Sequence, residues 1–398
     1  MQTYYEQWKF RHPQPQDFRS VLESETGKDL NWLFDGLIGS SAKQDYAVVD
    51  LAEADVGVSV TVQNKGEVAG PFTLDALVDG NIEYSQWYEG FEGERILAFN
   101  AEDFEKVTLD ARRITLDVNR KNNHITARGK TMEPLQVRLL PGPENDKRTQ
   151  LFWLPALAWN NYDKFMLGLA LYNTSFPFKN LDFTLIPMYG FGSNDLAGLG
   201  EIEYRLYPGN RVFQEITLGL GGRMFHYNQN FENDYDLKYA RLVPSVNFQL
   251  YKKPTSDFYQ NIQWRTIWLN QEAAQFSPTF GNYTGNRWSN TFIHELSYFG
   301  ENRRALNPFS VFLALEQQSY DNILGDQSYV KVSLELKQSF TYAENKNIDF
   351  RLFAGGFITN TRREAGAIFP GAFNLTSQGF NDYRYDDFYF GRNVSEGI

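Results

Sequence analysis

The chain has 398 residues, a 42% hydrophobic share and a formal net charge of -11, so it is long enough for two or three domains and carries the wrong charge for a general nucleic-acid binder. It has no Cys, which excludes disulfides, thiolate metal sites and cysteine nucleophiles. No apolar run reaches the length of a transmembrane helix, and aromatic residues make up 16%, with 33 Phe and 23 Tyr. Such aromatic content suits either the interfacial girdle of a membrane barrel or a Phe-rich soluble β core.

The N-terminus, MQTYYEQWKFRHPQPQ, lacks a signal-peptide apolar region. An exported protein needs one, so the expectation is that Met1 is not the native start. Residues 1–45 read as helical. Asp17 charges the start of a helix over 18–25, where Phe18, Val21 and Leu22 share a face, and Gly27 ends it. Asp29 opens a second helix over 30–38, with Leu30, Leu33, Phe34 and Leu37 on one face. Two such short helices cannot bury their apolar faces alone and read as the end of a larger helical domain.

Residues 46–140 change to short strands at 46–50, 56–64, 72–78, 95–99, 107–110 and 135–140, with Asn64-Lys65-Gly66 and Asp79-Gly80 as turns. The span suits a β-sandwich. Residues 141–149, beginning PGPENDKR, form a polar linker.

From 150 onward, alternation of period two dominates. In 329–342, Val330, Val332, Leu334, Leu336, Phe340 and Tyr342 share one face, and Lys331, Ser333, Glu335, Lys337, Ser339 and Thr341 the other. About eleven such strands follow one another: 150–159, 165–173, 181–189, 196–207, 213–225, 239–251, 258–269, 288–300, 309–320, 329–342 and 348–359. Several exceed the roughly 9 to 11 residues a tilted strand needs to cross a bilayer. The links after alternate strands are short, and the others are mostly longer, the clearest being 226–238 and 270–287. Short periplasmic turns opposite longer external loops are the mark of an outer-membrane barrel. The predicted fold is therefore mainly β: an antiparallel membrane barrel of about 12 strands over 150–398, preceded by a sandwich and a short helical segment. Since single-chain bacterial barrels have an even strand number, the twelfth strand is expected either beyond Ile398 or, irregularly, within 373–390.

Three stretches carry a resemblance. YYEQWKFRHPQPQDFRSVLESETGKDLNWLFDGLI resembles the close of the catalytic module in the aminopeptidase N family of zinc metallopeptidases, departing at Leu37, where many relatives have Trp. VTLDARRITLDVNRKNNHI resembles the end of the immunoglobulin-like domain that follows that module. LPALAWNNYDKFMLGLALYN and IPMYGFGSNDLAGLGEIEYRLYP are similar to C-terminal extensions of aminopeptidase N-like proteins from Bacteroidetes-type bacteria. The resemblance implies the C-terminal portion of an envelope zinc aminopeptidase: residues 1–45 would close the peptidase module, 46–140 would be Ig-like, and the barrel would sit in the outer membrane with the N-terminal part periplasmic. The expected partners are the bilayer, an upstream peptidase module and, for the intact protein, peptide substrates.

No catalytic, cofactor-binding or metal residue is predicted in this chain, although the resemblance implies zinc for the intact protein. A zinc peptidase needs two His one helical turn apart with a Glu beside the first. The nearest stretch, His294-Glu295-Leu296-Ser297-Tyr298, has Tyr in place of the second His and lies on a strand. Its parity sets His294 with Phe292 and Leu296, which requires a bulge, a neutral imidazole or a different strand boundary if that face meets lipid. Of His12, His124, His226 and His294, only His226, near Asp234, Asp236 and Ser245, suits a Ser-His-acid hydrolase, and nothing fixes a nucleophile beside it. The acidic groups Glu232, Asp234 and Asp236, and Asp382, Asp386 and Asp387, read as calcium ligands or as solvated loops. Gly219, Gly221 and Gly222 lie within a strand, where they make bends or room rather than a phosphate cradle. Inward-facing Glu201, Glu203, Arg205, Arg223, Arg265, Lys331, Glu335, Lys337, Asp349 and Arg351 either line a conduit or pair to fill a small lumen. The alternative functions are an outer-membrane channel or transporter with a periplasmic β domain, and a soluble β protein that binds carbohydrate or protein.

Overall fold

The computed structural model describes residues 1–54, 56–127, 129, 134–145, 147–176, 178–209, 211–230, 232, 235–322, 325–361, 375–377 and 382–391. The chain divides into two units, Met1–Leu135 with Asn145–Thr149, and Gln136–Glu144 with Gln150–Ile398.

The first unit begins with α1 (Gln2–Trp8), α2 (Pro15–Thr26) and a π-helix (Trp32–Ile38). The Asp17 carboxylate accepts the Gln14 N–H at 2.8 Å, and Gly27 closes α2 at φ 64°, its N–H bonded to the Glu23 carbonyl at 2.9 Å. The expected second helix begins later than 30 and is a π-helix. α1 has too little apolar periodicity to be visible in the sequence.

Two small antiparallel sheets follow. One is ordered β1 (Tyr46–Glu53), β2 (Val58–Asn64), β5 (Glu94–Phe99); the other is β4 (Asn81–Tyr88), β3 (Phe72–Val78), β6 (Lys106–Leu109), β7 (His124–Thr126). Val48, Val60, Val62 and Phe99 from the first share one apolar core with Phe72, Leu74, Ala76, Val107, Leu109 and Ile125 from the second. The Asp79-Gly80 signal joins β3 to β4, both residues having positive φ, as a tight hairpin of this kind demands.

The second unit is built on one sheet of twelve antiparallel strands in sequence order. They are β8 (Leu135–Leu139), β9 (Thr149–Asn160), β10 (Lys164–Tyr172), β11 (Leu181–Gly190), β12 (Asp195–Leu206), β13 (Phe213–Asn230), β14 (Tyr235–Leu250), β15 (Phe258–Phe276), β16 (Tyr283–Asn302), β17 (Phe309–Asn322), β18 (Gly325–Ala343) and β19 (Lys346–Asn360). All eleven expected strands are present. The twelfth is β8, which was read as sandwich; the described residues of 373–390 form turns and bends instead of a strand. Among the described residues no ladder joins β19 to β8 or β9, so the sheet is not closed.

The expected long loops also change character. Residues 226–238 continue the β13–β14 ladder from His226↔Lys238 to Asn230↔Tyr235, and 270–287 continue β15–β16 as far as Phe276↔Tyr283. Backbone pairing is indifferent to side-chain polarity, so polar residues on both faces erase the alternation without ending the strand. The asymmetry between the two ends thus lies in strand length rather than in the links.

The polarity of this sheet is inverted. Leu157 is 66% exposed, and Leu167, Leu196, Ile202, Leu218, Leu220, Leu315, Leu336 and Leu352 are exposed with it, whereas Glu316 is 1% and Lys331 3% exposed. Residues 383–390 contact the inner side chains of β13–β18, and Phe390 packs on Trp159 of β9. A flat sheet spanning β9 to β18 would be roughly 43 Å across at about 4.8 Å per strand, whereas eight extended residues reach at most roughly 25 Å. The sheet therefore curves around this segment.

In the first unit Phe72 is 1% exposed and packs against Tyr46, Tyr88 and Phe91. Phe72→Ala is expected to destabilise that unit by about 3–5 kcal/mol, measured by urea unfolding, while Ile96→Ala on its surface changes it by less than about 0.5 kcal/mol.

Candidate functional site

The most developed polar constellation lies where residues 382–390 meet the inner face of the large sheet. The segment is folded on itself by Asp382, whose carboxylate accepts the N–H groups of Asp386 at 3.0 Å and Asp387 at 3.1 Å. This turn aims Tyr383, Arg384 and Asp386 at side chains that strand pairing has already brought level. Glu316 stands beside Lys331 in the β17–β18 ladder, and Arg265 beside Glu295 in β15–β16.

Glu316 is the hub. Its Oε1 accepts the hydroxyls of Tyr329 at 2.5 Å and Tyr383 at 2.7 Å and lies 3.2 Å from Lys331 Nζ; its Oε2 meets the Arg384 guanidinium. Arg384 also reaches Glu295 at 2.7 Å. Glu295 takes Arg265 Nε at 2.8 Å, and Arg265 grips both oxygens of Asp386 at 2.9 Å in the bidentate fork favoured for carboxylates. Arg241 joins Asp386 and donates to the Arg384 carbonyl at 2.9 Å. Arg223 donates to the Asp386 carbonyl at 3.1 Å and lies 4.1 Å from the centre of the Phe388 ring. Every carboxylate of the hub is engaged by a cation, so none is poised as a base or nucleophile. The network fills space and fixes the segment.

The remaining inward charges fall into two groups. Lys337 and Arg351 both pair with Glu335, at 2.6 and 2.5 Å, and with Asp349 they line a cavity of about 630 Å³. Glu201, Glu203 and Arg205 line a polar cavity of about 450 Å³ with Glu215, Asn247 and Gln263; Arg205 pairs with Glu203 and lies 3.7 Å from Asp182. Gly221 faces open space and Gly219 abuts Ser245, so both make room on the inner side.

His226 is buried, with Nδ1 2.6 Å from Asp163 Oδ1. Ser193 Oγ donates to that same oxygen at 2.7 Å, which puts the hydroxyl on the acid and not on the imidazole. Asp195 lies 4.0 Å from Nε2 and is held by Lys238 at 2.6 Å. Ser245 pairs with Gly219, seven positions along β13 from His226, roughly 23 Å at 3.3 Å per residue. Asp234 lies outside the described residues; Asp236 accepts from the Asn286 amide through its carbonyl, and Glu232 is exposed. No nucleophile–base–acid relay results among the described residues. Asp163, Ser193 and Asp195 were not singled out in the sequence, because a contact between the β9–β10 turn, the β11–β12 turn and β13 has no local signature.

His294 is on the exposed face with Phe292 and Leu296, bonded to Thr266 Oγ1 at 2.9 Å, while Glu295 turns inward. The β15–β16 register runs through it without a bulge. Adjacent strand residues point to opposite faces, so His294 and Glu295 cannot serve one metal ion. Among the described residues no group of three or more His, Asp or Glu is placed to hold a metal.

Burial acts to raise the Asp163 pKa, but the hydrogen bonds from His226, Asn160 and Ser193 outweigh it and hold this carboxyl below its usual range. Its stabilisation is complete above the unfolded value of about 3.9 and is lost as pH falls through the folded one. Asp163→Asn should therefore flatten the acid limb of the stability profile below about pH 4, measured by denaturant midpoints in detergent. Glu316→Ala takes the carboxylate away from the buried Lys331 ammonium, while Arg384 keeps Glu295, and is expected to cost about 3–5 kcal/mol in the same assay, part of which Lys331→Met restores.

Comparison with protein-family models, with curated proteins and with solved structures finds no match for this chain.

Proposed function

We propose that the second unit is a closed β-barrel embedded in a bacterial outer membrane, and that this chain anchors an aminopeptidase N-like zinc peptidase module in the periplasm. The one observation that carries the membrane reading is the inverted polarity of the twelve-stranded sheet. In water, an exposed face of Leu, Ile, Phe and Trp opposite a buried face of Glu, Lys and Arg is costly on both counts; in hydrocarbon the same arrangement is favourable. Four further features support it. The strand number is even, most strands exceed the crossing length, the sheet curves, and longer strands gather at one end.

The peptidase connection rests on the resemblance of the first 38 residues and of the stretches over 107–125, 154–173 and 186–208. On this reading the zinc-binding and catalytic residues, and the contacts with peptide substrates, belong to the module upstream. The paired charges around Glu316 favour anchoring over conduction, because a filled interior passes little. An outer-membrane channel has the polar cavity of about 450 Å³ in its favour. That reading expects conductance in planar bilayers that changes on charge reversal at Lys331 or Arg351.

Membranes containing the chain should retain it through plain buffer and alkaline carbonate and release it only to detergent; extraction by buffer alone would remove the anchoring role. Leu220→Arg, on the outer face of β13, should lower stability in lipid by about 2–4 kcal/mol. The isolated chain should show no zinc-dependent release of N-terminal residues from peptides, and measurable turnover would overturn the assignment of catalysis to another part of the protein.

A further inference from the structure

The first unit carries a loop that side-chain hydrogen bonds hold in one shape. Residues 110–118 are organised by the Asp110 carboxylate, which is buried and accepts the N–H groups of Ile114 and Thr115, each at 2.8 Å, and the Thr115 hydroxyl at 2.6 Å. Both Arg120 guanidinium nitrogens sit 3.1 Å from the same carboxylate, and one donates to the Thr115 carbonyl at 2.7 Å. Asp117 is turned inward and accepts the N–H of Tyr46 at 2.9 Å, and Val118 N–H donates to the Gln44 carbonyl at 3.0 Å. Asp110 and Arg113 are held at φ 47° and 57°, a region non-glycine residues adopt when surrounding contacts impose it.

The loop so held presents apolar side chains to solvent. Ile114, Leu116 and Val118 alternate outward, Leu116 being 65% exposed, while Thr115 and Asp117 take the inward places. Arg112 and Arg113 are exposed beside them. In a chain of net charge -11, Arg112 and Arg113 stand side by side, and the one acid within 112–121, Asp117, is buried. Of the residue types that dominate protein-binding hot spots, Trp, Tyr and Arg, this loop has only Arg, and its Leu and Val tips are of types under-represented there. Aliphatic tips flanked by guanidinium groups match the layered chemistry of a bilayer surface, phosphate over hydrocarbon.

We propose that residues 112–118 form a lipid-docking loop, with Arg112 and Arg113 taking phosphates of anionic lipid headgroups and Ile114, Leu116 and Val118 entering the acyl boundary. The inference goes beyond the membrane reading of the large sheet and does not depend on it.

The absence of Cys allows a direct test with the full chain. Leu116→Cys carries a polarity-sensitive dye, Lys65→Cys in an exposed turn serves as the reference, and both are mixed with phosphatidylglycerol or phosphatidylcholine vesicles containing nitroxide-labelled lipid. At position 116 the expected result is a blue shift and quenching in phosphatidylglycerol, with neither at position 65. Adding Arg112→Glu and Arg113→Glu should lower the inserted-to-free ratio by at least about thirtyfold, roughly fivefold for each lost cation before the repulsion of the added carboxylates. Equal emission at the two positions, quenching indifferent to the arginine reversals, or a blue shift in detergent without lipid, as self-association would give, overturns the proposal. Vesicle flotation reads the large sheet separately: a chain that floats with its loop dye unquenched overturns the docking loop alone.

Discussion

The pairing of charge on the concave side of the large sheet is the constraint on which the second unit depends. A carboxylate as buried as Glu316 is tolerable only if cations and hydroxyls replace the water it has lost, and it has four such partners: Tyr329, Lys331, Tyr383 and Arg384. Two come from the sheet and two from a segment later in the chain. Tyr383 and Arg384 complete the shell of donors that Tyr329 and Lys331 begin. The alternation that points Lys331 and Glu335 inward also turns Leu334 and Leu336 outward, so interior chemistry and exterior surface follow from one periodicity.

This links the two faces energetically. Hydrophobic burial, which ordinarily drives a β-sheet to pack on a partner, is in large part directed away from the sheet interior here, and the interior is held by charge-assisted hydrogen bonds together with apolar clusters such as Met166, Met188, Phe225 and Leu269 with Tyr385. In a protein surrounded by water such a design would expose a large apolar surface. Placed in lipid, as we propose, the same surface supplies the burial and the ion pairs supply the specificity. The first unit follows the opposite and commoner rule, with Val48, Val60, Phe72, Leu74 and Val107 inside.

Much of this was legible in the sequence, and the failures have identifiable causes. Strands such as 329–342 announce themselves because one face meets an apolar environment and the other a polar one, which enforces strict alternation. β4 (NIEYSQWY) lacked it and was missed, although Asp79-Gly80 marked its turn. β8 was read with the small sheets because five residues of mixed polarity carry no information about which sheet they join. The extensions beyond 225 and 269 read as loops, since a ladder that is polar on both faces has no period to detect. The candidate site divided in the same way: parity identified Arg265, Lys331 and Glu335 as inward, and pairing was one of the readings it allowed. That Asp386 would pair with Arg265, and Arg384 with Glu295 and Glu316, was invisible, because an irregular segment has no register from which partners can be inferred.

The route by which residues 383–390 reach their partners has a consequence for assembly. Asp386 contacts Arg265 across 121 positions and Arg241 across 145, and its carbonyl meets Arg223 across 163, so these bonds close some of the longest loops in the chain. Loop-closure entropy must be met before such contacts return anything, which makes them late events in folding. Until then Glu295, Glu316 and Arg265 need water. The inner side of the sheet is thus wet through most of its formation and dries only when residues 383–390 settle on it, a last step that commits the strands to one arrangement.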